Sequence, residues 1–433
     1  MSFSQLGLSD PIVKALAEQG YSVPTEIQKQ AIPVILSGRD VVATAQTGTG
    51  KTASFVLPIL QKFNIDRTLR GKRIRALILT PTRELAIQVE ANVAAYSRHL
   101  NLTSMAIYGG VDSQSQKERL VEGVDILVAT PGRLLDLAYQ RALHFDELEF
   151  LVLDEADKML DMGFVDDINK IIDRLPEKRQ SLLFSATMSQ DVRYLADTVN
   201  DNAYEIAVSA HRQSVEKIEQ WLITVDKDKK SALLSHLIHQ QQWQRTLIFI
   251  EKKHSAAKLV SQLAKRGIRA EAIHSGRSQA SREQILSDFK SGDLAFLVAT
   301  GIAARGIDID DLPRVVNYDL PFRNDDYIHR IGRTGRAGAS GQAISLVSKD
   351  DFKHLCAIES RLGHLIERRQ VAGFEPAKPV PISILNYVPK IKSKAKPKPR
   401  NKQKCHAKDQ PTDKYEDNSP SKLTNADIWG KRR

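Results

Sequence analysis

The sequence predicts two α/β domains in series, each a parallel sheet covered by helices, joined by a short linker and followed by a disordered basic tail. Three observations predict it. Short runs of Val, Ile and Leu, apolar on both faces, alternate with helical patterns, as buried parallel strands do. These runs fall into two sets separated by the polar stretch VSAHRQSVEK. Positive charge collects at the far end: of a formal net charge of +11, +10 lies in residues 376–433.

Residues 1–31 read as a helical lead-in, with Asp10 as an N-cap and Pro11 at the first helical position. The first strand set is VVATA (Val41 to Ala45), ALILT (Ala76 to Thr80), DILVAT (Asp125 to Thr130), FLVLD (Phe150 to Asp154) and SLLFSAT (Ser181 to Thr187), within a domain spanning 32–207. Residues 208–217 are the linker. The second set, within 218–375, is TLIFI (Thr246 to Ile250), AEAIHS (Ala270 to Ser275), FLVAT (Phe296 to Thr300), VVNYDL (Val315 to Leu320) and AISLVS (Ala343 to Ser348). Strand order does not follow from this pattern. From 376 the chain is Pro/Lys-rich, and Lys390 to Lys408 carries nine Lys/Arg and no acid. Such a run is a solvated arm suited to polyanions.

The chain has 433 residues, 42% hydrophobic and 27% charged, a globular balance. Two cysteines, Cys356 and Cys405, exclude a disulfide scaffold and a Cys-built zinc cluster. The opening MSFSQLGLSD lacks the basic and apolar regions of a signal peptide, and no apolar run reaches the ~18 residues of a membrane span. The expectation is a protein of a reducing cytoplasmic compartment with no membrane contact.

Three motifs carry chemistry. Ala45, Gln46, Thr47, Gly48, Thr49, Gly50, Lys51 and Thr52 stand between a strand and a helical pattern. In that setting backbone N–H groups and the helix N-terminus cradle phosphates, Lys51 reaches the β- and γ-phosphates, and the Thr52 hydroxyl ligates Mg²⁺. A strict P-loop has Gly where Ala45 stands. Asp154 and Glu155 close the strand FLVLD, at the edge where α/β sheets bind ligands. One carboxylate, Asp154, suits Mg²⁺, and the other suits activation of water. His329, Arg330, Arg333 and Arg336 form a Gly-interrupted cluster in the second domain, where arginines can stabilise a transferring phosphoryl group. The nucleotide site would then lie between the domains and be complete only on closure.

Together and in this order, these motifs resemble the DEAD-box ATP-dependent RNA helicases of superfamily 2, bacterial-type members with a basic C-terminal extension. The resemblance runs from Ser2 to Phe374 and implies two tandem RecA-like domains, ATP and Mg²⁺ as cofactors, and RNA as partner. Gly20 to Gln28 resembles the Q motif, which implies that Gln28 reads the adenine edge and Phe3 stacks on the ring. Pro81, Thr82 and Arg83, then Gly109 and Gly110, then Thr130 and Arg133 resemble the first domain's RNA-contacting motifs. They offer hydroxyls, N–H groups and arginines that hold a backbone without reading bases. Gly276, Arg282 and Thr300 resemble those of the second domain. Ser185 and Thr187 resemble the motif coupling hydrolysis to strand separation. Asp308 is implied at the ribose, Arg305 in closure, His329 as a bridge between domains, and Arg333 and Arg336 as the two fingers.

Two positions depart from the family. Gly301 stands where Asp is usual after the threonine of the fifth motif, so weakened coupling is expected, with Gly301→Asp raising RNA-stimulated turnover. Glu251, Lys252 and Lys253 stand in the fourth motif, LIFIEKKHSA, where a small polar residue is common. The expected activity is RNA-stimulated ATP hydrolysis coupled to local, non-processive unwinding of short duplexes and to RNP remodelling. The tail adds RNA affinity, and its end, LTNADIWGKRR, is either without role or a docking peptide for a protein partner through Trp429. Two other readings stay open: a DNA translocase on the same paired domains, and a non-catalytic RNA-annealing protein.

Overall fold

The computed structural model describes residues 1–46, 48–65, 73–200, 202–208, 218–304, 309, 312–335 and 341–385, without the side chains of Ile302 and Ala304. Thr47, Arg305, Asp308, Arg336, linker residues 209–217 and tail residues 386–433, including Trp429, lie outside the described residues.

All ten predicted strands are present. The first sheet contains β1 (Val41–Thr44), β2 (Ala76–Leu79), β3 (Ser104–Ile107), β4 (Ile126–Ala129), β5 (Phe150–Leu153), β6 (Gln180–Ser185) and β7 (Tyr204–Ala207). The second contains β8 (Ile218–Thr224), β9 (Thr246–Ile250), β10 (Ala270–Ile273), β11 (Phe296–Thr300), β12 (Arg314–Asn317), β13 (Gly341–Val347) and β14 (Glu367–Arg369). Pattern reading missed β3, β7, β8 and β14. Of these, β3, β7 and β14 stand at sheet edges, and β7 and β14 are polar and partly exposed, so they lack the two-sided apolar signature. β8, the sequence IEQWLIT, is broken by Glu219 and Gln220.

The strand orders are β3-β4-β2-β5-β6-β1-β7 and β10-β11-β9-β12-β13-β8-β14, the same winding twice, with all pairs parallel. Alternation explains why central strands are apolar throughout. Ala76, Ile78, Ile126, Val128, Phe150 and Val152 point to one core layer, while Leu77, Leu79, Leu127, Ala129, Leu151 and Leu153 point to the other. The second sheet repeats this, with Ile248 and Val298 on one face and Leu247 and Leu297 on the other.

The lead-in belongs to the first domain's core: Ile12, Leu16, Ile27 and Ile32 are buried in the layer that holds Ala76 and Ile78. Its first helix begins at Asp10 with Ser9 as N-cap, one residue earlier than the sequence suggested. The tail's first residues are engaged as well. The Ala377 N–H donates to Asp226, and Val380 packs on the second domain's core. Among the described residues no helix is long and apolar enough to cross a membrane.

Candidate nucleotide and nucleic-acid site

Apart from the Q motif, which precedes β1, every predicted site motif of the first domain follows the carboxyl end of a strand, and sheet order sorts them. The phosphate loop follows β1, Asp154 and Glu155 follow β5, and Ser185 and Thr187 end and follow β6. These three strands are adjacent. Pro81 to Arg83 follow β2, Gly109 and Gly110 follow β3, and Thr130 follows β4, the other adjacent trio. One sheet edge therefore carries the motifs predicted to bind phosphate on one half and those predicted to hold an RNA backbone on the other.

The helix Lys51–Ile65 starts directly after the loop, so its N-terminal N–H groups face the loop's interior. Gly48 and Gly50 adopt φ of +80° and +90°, and a Cβ on Gly50 would lie 2.4 Å from Gln28 Nε2. Only glycine fits that approach. Ala45, by contrast, sits at the strand end, where its N–H donates to the Ser185 carbonyl at 3.0 Å. The Gly-to-Ala departure thus falls before the tight turn begins. The Thr49 hydroxyl donates to the Gln46 carbonyl at 2.7 Å and closes the loop.

A cleft of about 290 Å³ is lined by Gln28, Gly48, Gly50, Lys51, Thr52, Asp154, Glu155 and, from the second domain, Arg333. The structure thereby brings together residues predicted from opposite ends of the chain. Three polar atoms buried there have no hydrogen-bond partner among the described residues: Lys51 Nζ, Asp154 Oδ1 and Glu155 Oε2. A buried ammonium and carboxylate left unsatisfied are costly, so the cleft is built for charged ligands that would meet them.

Glu155 sits in left-handed backbone (φ +55°), uncommon for a residue with a side chain and found where function holds strain. Burial alone would raise its pKa, but the Lys158 and Lys51 ammonium groups outweigh burial and hold its carboxyl below the usual range. Lys158 Nζ donates to Glu155 Oε1 at 2.6 Å. Burial pushes Asp154 up to about 7, against the pull of Lys51. Neighbouring carboxylates with opposite shifts mark a division of roles. Asp157, which the sequence reading left without a role, accepts from the Thr187 N–H and hydroxyl, each at 3.2 Å, while the Ser185 hydroxyl donates to the Thr187 carbonyl at 2.7 Å. His329 lines a small cavity with Lys158, Gly301, Arg330 and Arg333, and burial first, then Lys158, lowers its pKa. It stands where the two domains meet.

One implied residue is misplaced. Phe3 is 4% exposed inside the first core and does not line the cleft, so it has no face for an adenine ring. Two tyrosines line the cleft instead: Tyr21, 48% exposed, stands edge-on to the buried Tyr96, with ring centroids 6.2 Å apart. Tyr21 lies inside the quoted Q-motif stretch, seven residues before Gln28, and was readable as its aromatic. The Gln28 amide already accepts from the Thr25 N–H at 2.9 Å and donates to the Gly50 carbonyl at 3.2 Å. One N–H and one lone pair remain for a base edge.

On the other half of the edge, a Cβ on Gly110 (φ +83°) would collide with the Arg83 guanidinium, so glycine is what lets Arg83 cross the loop. Arg133 is turned inward, donating to Gln116 Oε1 and the Val111 carbonyl at 3.0 Å each, and holds that loop. Thr82 caps the helix Arg83–Tyr96 through the Leu85 N–H, and Thr130 is the N-cap residue of Pro131–Tyr139. Pro81 and Thr300 are buried at their strand ends. Gly276 donates its N–H to His274 Nδ1 at 3.1 Å. Arg282 pairs with Glu84 of the first domain at 2.8 Å, an interdomain ion pair that sequence alone did not suggest.

A phosphate loop, an acidic strand end and an arginine from a second, identically wound domain define a P-loop nucleotide hydrolase with tandem RecA-like domains. Two family models match: DEAD/DEAH box helicase over residues 25–195 and helicase conserved C-terminal domain over 228–338. The chain is 39% identical over 366 residues to the DEAD-box ATP-dependent RNA helicase RhpA of Helicobacter pylori, covering 84% of this chain and 73% of that one. It is 42% identical over 375 residues to the ATP-dependent RNA helicase CshA of Listeria monocytogenes, covering 87% and 71%. Among solved structures it resembles Saccharomyces cerevisiae Dbp5 bound to RNA and ADP BeF3, with a TM-score of 0.77, 33% identity and coverage of 87% and 95%. The chain belongs to the family of DEAD-box ATP-dependent RNA helicases.

Proposed function

We propose that the protein hydrolyses ATP in response to RNA and uses the cycle to separate short RNA duplexes locally and to remodel RNA–protein complexes. The observation that carries this reading is the shared cleft, in which Arg333 of the second domain faces Lys51, Asp154 and Glu155 of the first. In this reading Gln28 and Tyr21 hold the base, the loop N–H groups and Lys51 hold the phosphates, and Glu155 orients and deprotonates the attacking water. Its carboxyl, kept ionised by Lys158 and Lys51, suits that task. Arg333 stabilises charge on the transferring phosphoryl group, and Arg336 is proposed as its partner. The unpartnered Asp154 Oδ1, in the cleft that Thr52 also lines, fits a hard divalent cation, so Asp154 and Thr52 are the residues proposed to hold Mg²⁺. When bound, that ion neutralises phosphate charge.

RNA would lie along the β3-β4-β2 half of the edge and the matching β10-β11 half of the second sheet, touching Thr82, Arg83, Gly110, Thr130, Gly276 and Thr300. The pairs Arg282–Glu84 and Thr187–Asp157 would report RNA occupancy to the nucleotide cleft through domain closure. Arg305 and Asp308 are proposed at closure and at the ribose. The basic tail would raise RNA affinity electrostatically, with little sequence choice. The proposed compartment is the cytoplasm.

The test is steady-state ATP turnover at low salt with no nucleic acid, a short single-stranded RNA, or DNA of the same sequence, with Lys51→Ala as blank. Stimulation by RNA alone is expected. Equal stimulation by DNA would favour a translocase. Bound RNA without stimulation would favour annealing.

A further inference from the structure

Arg330 lies near the end of the helix Asn324–Ile331, one turn before Arg333, and is only 4% exposed. A guanidinium that deep must be paired. Its Nη1 donates to the Asp319 carbonyl at 2.8 Å, and its face lies over Phe249 at 5.0 Å. Its charge is met by Glu251, whose Oε1 accepts from Nη2 at 2.5 Å. Glu251 follows β9 and is itself held by its own N–H, which donates to Asp319 Oδ2 at 3.1 Å. Asp326, on the same helix, and Asp319 add negative potential nearby.

The other departure from the family pattern sits at the same guanidinium. A Cβ built on Gly301 would lie 3.4 Å from Arg330 Nη2, the nitrogen that Glu251 occupies. A carboxylate at 301 and a carboxylate at 251 would reach for one donor. The two departures are therefore one exchange: the acid absent after β11 is supplied from the end of β9.

The consequence runs to the nucleotide cleft through short backbone links. The Arg333 N–H donates to the Arg330 carbonyl at 3.3 Å, and the Arg333 carbonyl accepts from the Leu312 N–H at 3.1 Å. The turn that carries Arg333 into the cleft is thus anchored to Arg330. We propose that Glu251 is a positioning residue for ATP hydrolysis, holding Arg330 and through it the finger Arg333, in place of an acid at position 301. This rests on the reading of Arg333 given above. It also reverses the expectation for Gly301: the substitution Gly301→Asp would crowd Glu251 and misplace Arg330 rather than improve coupling.

The test compares the parent, Glu251→Gln, Glu251→Ser, Gly301→Asp and the double variant Glu251→Ser/Gly301→Asp, well below every melting temperature. The readouts are kcat at saturating ATP and RNA, ATP affinity without RNA, and Tm. Glu251→Gln keeps the shape and loses the charge. Each single variant should lose about tenfold in kcat with ATP affinity unchanged, and the double variant should return to within about threefold of the parent. Equal kcat in the parent and both Glu251 variants, with RNA stimulation intact, would overturn this proposal and leave the helicase reading standing. So would a rise in kcat from Gly301→Asp alone, or a double variant that loses the product of the two single effects. Loss of Tm alone would make Glu251 merely structural. A parent without RNA stimulation would overturn the Arg333 reading and this proposal with it.

Discussion

The two sheets of this protein are wound identically, yet they treat the lysine at the same edge position in opposite ways. Each has a lysine at the start of the helix after its first strand: Lys51 after β1, and Lys230, which opens the helix Lys230–Gln240 after β8. Each has an aspartate just past its fifth strand, Asp154 and Asp319. Each has a crevice at that edge, about 290 Å³ in the first domain and about 370 Å³ in the second. Size and topology therefore do not distinguish them. Charge satisfaction does. Lys51 Nζ is buried without a partner among the described residues. Lys230 Nζ donates to Asp351 at 3.0 Å and to the Tyr318 carbonyl at 2.9 Å, with Asp319 at 3.8 Å. The first domain leaves its ammonium for a ligand; the second consumes the equivalent ammonium in its own fold. What the second domain presents to its neighbour's cleft is instead Arg333, the residue proposed to act in hydrolysis.

The sharpest way to break this comparison is Arg333→Ala. If the second domain acts through that arginine, RNA-stimulated turnover should fall by about 10³–10⁵, with ATP binding to the first domain retained. A smaller loss in steady-state turnover would shift weight to Arg336. Next come the paired lysines. Lys51→Ala should abolish turnover with little change in stability. Lys230→Ala should do the converse: it leaves Asp351 with only its two Ser348 donors in a partly buried site, costing roughly 1–3 kcal/mol in urea unfolding, while the folded fraction keeps its turnover. Matching phenotypes for the two would end the distinction between ligand-satisfied and fold-satisfied ammonium groups.

The smallest effect sharpens the same point from the acid side. Asp154, pushed up to about 7 by burial, keeps a proton in the folded chain that the unfolded chain releases near pH 4. The folded state binds more protons across that window, so this group costs stability as pH rises from about 4 to 7. Asp154→Asn removes the cost. Its ligand-free Tm should exceed the parent's by several degrees at pH 8 and match it at pH 4, with turnover lost. An unchanged Tm at pH 8 would mean that Asp154 is already satisfied without ligand.

Much of the fold and site was legible in local sequence. Ala76 to Leu79 and Phe150 to Leu153 are buried on both faces and say so in composition, whereas Tyr204–Ala207 and Glu367–Arg369 are edge strands whose polarity conceals them. The phosphate loop, Asp154, Glu155 and Arg333 were visible because each needs a particular residue at a particular place on the strand-end or turn that carries it. Phe3 was misread because an aromatic ring suits a base or a core equally well. Only packing in the layer that holds Leu6, Leu8 and Ile12 decides which. Tyr21 is the reciprocal case.

Sequence by itself determined the strands and their two-sided burial, and it supplied the candidates for phosphate and metal chemistry, because these depend on residue type and short spacing. Tertiary structure alone decided which charges meet: Arg282 with Glu84, Lys158 with Glu155, Lys230 with Asp351, and Arg330 with Glu251 rather than with any side chain at Gly301. Three of these four pairings join residues far apart in the chain, and all four rest on desolvation. Whether a buried charge is a site or a strut follows from what the fold leaves beside it.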